Sequence, residues 1–309
     1  MGYANIEHEV PVNENSVFKI GSLSKSILAT GMMLLVEDGL VKLSDDVCRY
    51  IPKLRAQSQG ITIEMLLSHT AGLRRNPVNE NFFAVGSLQA IVDTLENWTL
   101  VDRPGESFSY SNLGYFVLGF LIEELSGLRF STFFEERIFK KLGMVRTRTT
   151  SAYEIIKNRS ASYFVANNSV LNAGDLIQFR PSGAFISTIT DMLIWDKSLR
   201  NFSILSEDGF DRMATPVRLR SGKASSYGFG WYVFRGRHDT ILFHGGGLWS
   251  FRSYHLFLMK AGISIVVLAN RRDTNVKAIT TRILDMTAPE IAADWAEATV
   301  AVQSDTNNP

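Results

Sequence analysis

Ser22 and Lys25 stand three residues apart in "GSLSKS", the spacing that brings two side chains onto one face of a helix. A hydroxyl is a poor nucleophile at neutral pH until a base takes its proton, and an amine one turn away is a candidate for that base. The Ser-x-x-Lys pattern also occurs at Ser16 and Lys19, and a chain of this length meets it about once by accident. Context separates the two copies. Ser16 lies in "SVFKIG", an extended, alternating stretch in which residues i and i+3 point to opposite faces. Ser22 precedes "SILATGMMLLVEDG", where eight of the ten residues from Ile27 to Val36 are apolar. That density exceeds an amphipathic stripe and predicts a helix buried on nearly all sides, closed by Gly39.

At the start of such a helix Ser22 gains its own backbone N–H and the positive end of the helix dipole, both suited to an oxyanion. Lys25 loses hydration, which favours its neutral amine. Bringing it from about 10.4 to near 7 takes roughly 4–5 kcal/mol of desolvation and charge interaction. Each residue also has a purely structural reading, Ser22 as an N-cap and Lys25 as a snorkelling side chain.

The elements that must hold this pair can be read along the chain. "ITIEMLLSHTAGL" predicts a short helix capped by Thr62, and Pro104-Gly105 a turn before "FSYSNLGYFVLGFLIEELSG", helical from about Asn112 to Leu125. Apolar helices follow near 130–140 and 188–199. From residue 227 the texture becomes four short β-rich runs, "YGFGWYVF", "TILFH", "SYHLFLMK" and "ISIVVLAN", which predict an antiparallel meander. A last helix over 274–287 is expected after Asp273 as its cap. The fold class is therefore α+β, an antiparallel sheet flanked by helices with an interleaved helical subdomain. Residues 1–289 read as a single domain, and 290–309, ending in polar residues, as a peripheral tail.

Two further motifs accompany the pair: Tyr110-Ser111-Asn112, on a loop entering an apolar helix, and His244-Gly245-Gly246, at the end of the strand "ILFH". With these three signatures in this order, the sequence resembles the serine beta-lactamase and penicillin-binding-protein superfamily. It is most similar to the class C beta-lactamase-like branch, which holds family VIII esterases, D-aminopeptidases and related hydrolases. "FKIGSLSKS", "ITIEMLLSHTAGL", "PGESFSYSNLGYFVLG", "IFKKLGM", "PSGAFISTITDMLIW" and "FHGGGLWSFRS" each look like a family segment in family order.

The resemblance implies a beta-lactamase/transpeptidase-like fold and a role for each residue. Ser22 attacks a carbonyl to form an acyl-enzyme. Lys25 and Tyr110 supply the base, as a neutral lysine or as a tyrosinate held by a lysine cation, and the sequence leaves both open. Asn112 holds Lys25 or the substrate's amide oxygen. The oxyanion hole pairs the N–H groups of Ser22 and Gly247, and the run Gly245–Gly247 lets substrate backbone approach the strand. His69 orients a turn near the site. Tyr110 as core filler, Asn112 as an N-cap and His244 as a strand-end residue are the structural alternatives.

Two departures from the family stand out. The chain starts in what looks like the middle of the family's N-terminal strand region, so an exposed sheet edge, and a homo-oligomer formed through it, is one expectation. Trp249 stands where relatives carry a small residue or Pro and is expected to narrow the acyl side of the pocket, with Phe82, Phe83 and Phe108 adding apolar wall. His244 stands where many relatives place a Lys. It removes a permanent cation for a substrate carboxylate, a part that Arg252 can take over. A carboxylesterase of small or medium acyl esters is thus favoured over a D-amino-acid peptidase or beta-lactamase acting on amides, and over a non-catalytic binding protein.

Composition bounds the rest. The 309 residues are 45% hydrophobic and 20% charged with a net charge of +1, an ordinary globular balance without the basic footprint of a nucleic-acid binder. A small-molecule ester or amide is the expected partner. No stretch of about 18 apolar residues, the length that would span a membrane, occurs in the sequence. Cys48 has no partner cysteine, and His8, His238 and His255 make no metal-ligand spacing, so neither metal nor other cofactor is expected. With Met1 as the native start the location is cytoplasmic; with a leader removed it is periplasmic or secreted.

Overall fold

A computed structural model describes residues 2–52, 60–76, 100–150, 154–174 and 180–306. Strands β1 (Tyr3–Asn5) and β2 (Val10–Pro11) form a hairpin, and β3 (Phe18–Lys19) leads into a 3-10 turn at Gly21–Leu23 and then α1 (Ser24–Glu37). Every residue of α1 from Ser24 to Leu35 is buried, as its apolar run predicts. Gly31 is required inside it, because a Cβ there would lie 2.7 Å from the ring of Phe134, closer than packed carbon atoms stand. Gly39, at φ +74°, ends the helix in the left-handed conformation.

Helix α2 (Ile63–Leu67) starts at Thr62, whose hydroxyl accepts from the Met65 N–H at 3.2 Å. Helix α3 (Asn112–Ser126) is buried from Leu113 to Ile122. Its cap is Ser111 and not Asn112, since Ser111 Oγ accepts from the Gly114 N–H at 3.2 Å, which releases the Asn112 side chain for other bonds. Helix α4 (Phe130–Phe134) continues through a π-helical stretch at Glu135–Phe139 and a last turn at Lys140–Leu142. Strands β4 (Arg148–Thr149) and β7 (Phe185–Ser187) join β3 in a small sheet of order β3-β7-β4, with β5 (Tyr163–Ala166) and β6 (Ser169–Asn172) forming a hairpin between them in the chain. Helices α5 (Ile189–Arg200) and α6 (Glu207–Met213) follow.

The four runs after residue 227 become β8 (Tyr232–Arg235), β9 (Thr240–Leu248), β10 (Phe251–Leu258) and β11 (Ile263–Ala269), antiparallel in the order β11-β10-β9-β8. Strand alternation gives the sheet two apolar faces. Leu242 of β9 and Phe257 of β10 join the larger core around α1 and α3. Ile241, Phe243, Leu256 and Leu258 face a second core with α7 (Val276–Thr287) and α8 (Ala292–Thr306). The result is the expected α+β arrangement, an antiparallel sheet flanked by helices.

The structure corrects three details. The last expected helix begins two residues later, capped by Asn275, which accepts from the Ala278 N–H at 3.0 Å, while Asp273 pairs with Arg271. The segment after 290 is not a peripheral tail: α8 carries Trp295, 2% exposed, and Ala298, 0% exposed, into the second core. A buried aromatic of this size contributes about 1.5–3 kcal/mol, which the polar ending of the sequence concealed. Ser22 occupies the 3-10 turn and not the first turn of α1.

Among the described residues no strand pairs with the outer side of β11, although Tyr163 bonds the chain just beyond it through Asn270 and Arg272. No helix among these residues is long and apolar enough to cross a membrane.

Candidate active site

The 3-10 turn carrying Ser22 sits directly on strand β9. Gly21 has φ +53°, and a Cβ on it would lie 2.9 Å from the Gly247 nitrogen. A Cβ on Gly246 would collide with Ser253 Oγ and lie 2.5 Å from the Ile20 carbonyl. Ser253 Oγ itself donates to that carbonyl at 2.7 Å. Gly246 is therefore needed by the protein's own packing. Gly245 turns to the opposite face, against the Tyr254 ring. This contact brings the backbone nitrogens of Ser22 and Gly247 to neighbouring positions.

Lys25, on the first turn of α1, is 0% exposed. Its Nζ lies 3.1 Å from Ser22 Oγ, 2.9 Å from Asn112 Oδ1 and 2.9 Å from the Ser182 carbonyl oxygen. None of these partners is a carboxylate. Burial pushes Lys25 well below the ordinary lysine range, and the positive charge of Arg75 adds to the effect. Tyr110 lies with its ring centroid 4.9 Å from the same Nζ. Burial pushes its phenol above the usual tyrosine range, against a side-chain hydrogen bond with Ser22 that works the other way.

Tyr110 is held from behind. The backbone N–H of Ser111 donates to His69 Nδ1 at 3.1 Å, and the His69 ring stands 4.3 Å from the Tyr110 ring, centroid to centroid. His69 adopts φ +60°, a conformation uncommon for a non-glycine residue. The turn-orienting part implied for it by resemblance thus has a concrete form.

His244 is 2% exposed, and burial pushes it down to about 3, so it is neutral. Its Nδ1 lies 2.7 Å from the Gly245 carbonyl, which only accepts, so the proton belongs on Nδ1. Nε2 then accepts from the Tyr227 hydroxyl at 2.9 Å. Both ring nitrogens are engaged within the protein, and His244 also lines the cleft described below.

These residues open into a cleft of about 590 Å³ lined by Ser22, Tyr110, Asn112, Gly245–Gly247 and Arg252, among others. Arg252 faces it with Nη1 donating to the carbonyls of Trp249 at 3.1 Å and Phe251 at 2.8 Å. Trp249 does not narrow the cleft. It takes a left-handed turn at φ +54°, and its indole N–H donates to the Ala173 carbonyl at 2.6 Å, which directs the ring to the loop after β6. Phe82 and Phe83 lie outside the described residues. Phe108 lines a neighbouring pocket and not the cleft.

The sequence profile of the beta-lactamase family matches residues 1–288. The chain belongs to the beta-lactamase family. Penicillin-binding protein 4* of Bacillus subtilis (strain 168) is 28% identical over 293 residues, covering 88% of this chain and 64% of that protein. Protein flp of Staphylococcus aureus (strain N315) is 25% identical over 281 residues, with 87% and 56% covered. This family member spans between 56% and 67% of the length of such curated relatives. Among solved structures, the octameric penicillin-binding protein homologue from Pyrococcus abyssi matches with a TM-score of 0.82 at 25% identity, over 92% of this chain and 69% of that one. The D-amino acid amidase from Ochrobactrum anthropi SV3 complexed with D-phenylalanine shares the fold, with a TM-score of 0.80 at 22% identity, over 94% and 89%.

Three contributors to this beta-lactamase family site escaped the motif reading. The Ser182 carbonyl, Arg75 and Ser253 all act at the site through contacts that no short pattern encodes. Arg75 places its guanidinium 5.3 Å from the Tyr110 centroid, and its carbonyl accepts from the Asn112 N–H at 2.8 Å. Asn76 Oδ1 accepts from Asn112 Nδ2 at 2.8 Å, so segment 74–76 fixes both the backbone and the amide of Asn112.

Proposed function

We propose that this beta-lactamase-family serine hydrolase works through an acyl-enzyme on Ser22 and prefers carboxylic esters of small or medium acyl chain. The observation that carries the reading is the set of partners around Lys25. A neutral amine has two hydrogens and one lone pair. Asn112 Oδ1 and the Ser182 carbonyl only accept, so they take the two hydrogens. The lone pair is left for Ser22, whose Oγ stands 3.1 Å from Nζ and can donate its proton once the amine is neutral.

In this reading Lys25 is the base and Tyr110 a neutral phenol. Ser22 Oγ attacks the carbonyl carbon as its proton passes to Lys25, and the oxyanion lies between the N–H groups of Ser22 and Gly247. The C–O bond to the alcohol then breaks, the proton returns to the leaving oxygen through Lys25 and Tyr110, and water releases the acid. Preference for esters rests on His244, which is neutral and already bonded at both nitrogens. An ester also needs less protonation of its leaving group than an amide.

A second reading, a carboxylate-bearing amide or lactam as substrate, is favoured by Arg252 facing the cleft. One comparison separates the two: nitrophenyl butyrate, nitrocefin and a D-alanyl amide assayed side by side, with fluorophosphonate labelling read by mass spectrometry. A Ser22 adduct with the butyrate ester as best substrate supports the first reading. Nitrocefin turned over with a kcat/KM at or above that of the ester overturns the ester preference, and an adduct elsewhere overturns the mechanism.

A further inference from the structure

Beside the cleft lies a second pocket of about 610 Å³, and Arg75 and Tyr110 line both. Its position relative to the chemistry follows from the route of one proton. The leaving oxygen must sit next to the group that returns the proton taken from Ser22. Lys25 is sealed from solvent and Tyr110 covers it, so the leaving oxygen departs on the Tyr110 side. Tyr110 also lines this second pocket.

The walls are chemically mixed. Asp102 and Glu106 offer carboxylates, Arg75 and Lys223 offer cations, and Ser109 and Ser225 offer hydroxyls. A charged leaving group meets both signs here and gains no net attraction. A hydroxyl both donates and accepts, so it can meet groups of either sign here. Phe108 adds an aromatic face on which the C–H surface of a ring can lie.

We propose that the second pocket receives the leaving group and that the natural substrate is the ester of a hydroxyl-rich alcohol, a sugar or polyol. This inference rests on the acyl-enzyme reading above. The reaction balances without a further reactant. The acyl C–O bond breaks, Ser22 Oγ takes the acyl group, the Ser22 proton leaves on the sugar oxygen, and water restores Ser22 with release of the acid.

The test uses two esters with one acyl group, methyl butyrate and glucose 6-butyrate. The pocket gives glucose 6-butyrate a kcat/KM at least about tenfold above that of methyl butyrate, a difference of about 1.4 kcal/mol. Ala224→Trp, at an exposed lining position, fills the pocket and brings the ratio near one. The ratio is internal to each preparation, so it does not depend on how much of the variant folds. A wild-type ratio near one, no turnover of glucose 6-butyrate, or a ratio unchanged in Ala224→Trp overturns the inference. Fluorophosphonate labelling of Ser22 decides the acyl-enzyme reading separately.

Discussion

Lys25 Nζ stands 3.1 Å from Ser22 Oγ and is wholly buried, whereas Ser22 itself is only half-buried. The amine is thus sealed behind the hydroxyl it would deprotonate. Ser22 lines the cleft while water is kept from the amine, and a lysine in that setting loses its charge more readily than one in solvent.

Ser22→Ala is expected to abolish turnover and fluorophosphonate labelling without loss of fold. Ser16→Ala is the control: Ser16 Oγ accepts from the Asn13 N–H at 3.0 Å, so its loss costs about 1 kcal/mol of stability and no activity. Assays of both variants with thermal unfolding decide this. A Ser16→Ala protein as inactive as Ser22→Ala would overturn the assignment.

The lowered pKa of Lys25 gives two pH effects of known sign. In the proposed mechanism the neutral amine is the base, so kcat/KM is expected to fall as pH drops through the lowered value. In the unfolded chain Lys25 titrates at about 10.4, so between the two values the unfolded state binds one more proton and stability rises with pH, by at most about 1.4 kcal/mol per unit. Lys25→Met lacks this contribution. Urea midpoints at pH 7 and pH 9 should show the wild type gaining on Lys25→Met, and an equal response of the two means that the lysine is charged when folded.

Lys25→Ala and Tyr110→Phe should each lower kcat by about 10²–10⁴, and the double variant should be scarcely worse than the poorer single, because groups that act as one unit are non-additive. Losses that multiply fully in the double variant would point to two independent roles.

Gly246→Ala places a methyl against Ser253 Oγ and the Ile20 carbonyl and so levers the Ser22 turn off β9. Loss of kcat/KM by about 10² or more is expected, with a stability cost of about 1–3 kcal/mol. Full activity in a folded Gly246→Ala protein would mean that the approach of turn and strand is dispensable.

Much of this was legible in the sequence, and the limits have physical causes. Ser22, Lys25, Tyr110 and Asn112 announce themselves because side-chain chemistry and short spacing are local properties. The four strands were readable as short β-rich runs between turn residues, and α1 from its dense apolar stretch. The Ser182 carbonyl was not, because a backbone oxygen carries no residue signature and its bond to Lys25 spans 157 residues. The bond between His244 and Tyr227 was not legible either, because it joins side chains 17 residues apart that no motif links. Trp249 misled for a related reason. Its size indicated a lid, but the left-handed turn at that residue aims the indole elsewhere. Arg75 sits outside any motif and became visible only when segment 74–76 was seen holding Asn112.

The glycine contact between the Ser22 turn and β9 has a mechanical meaning. Gly21 and Gly247 touch through backbone alone, with no side chain between them to yield under shear. Slippage between helical layer and sheet would therefore move the backbone nitrogens of Ser22 and Gly247 directly. Enzymatic rate becomes a strain gauge for this seam. Under rising denaturant, turnover should fade while tryptophan fluorescence from Trp195, Trp231 and Trp295, all deep in the two cores, still reports an intact interior.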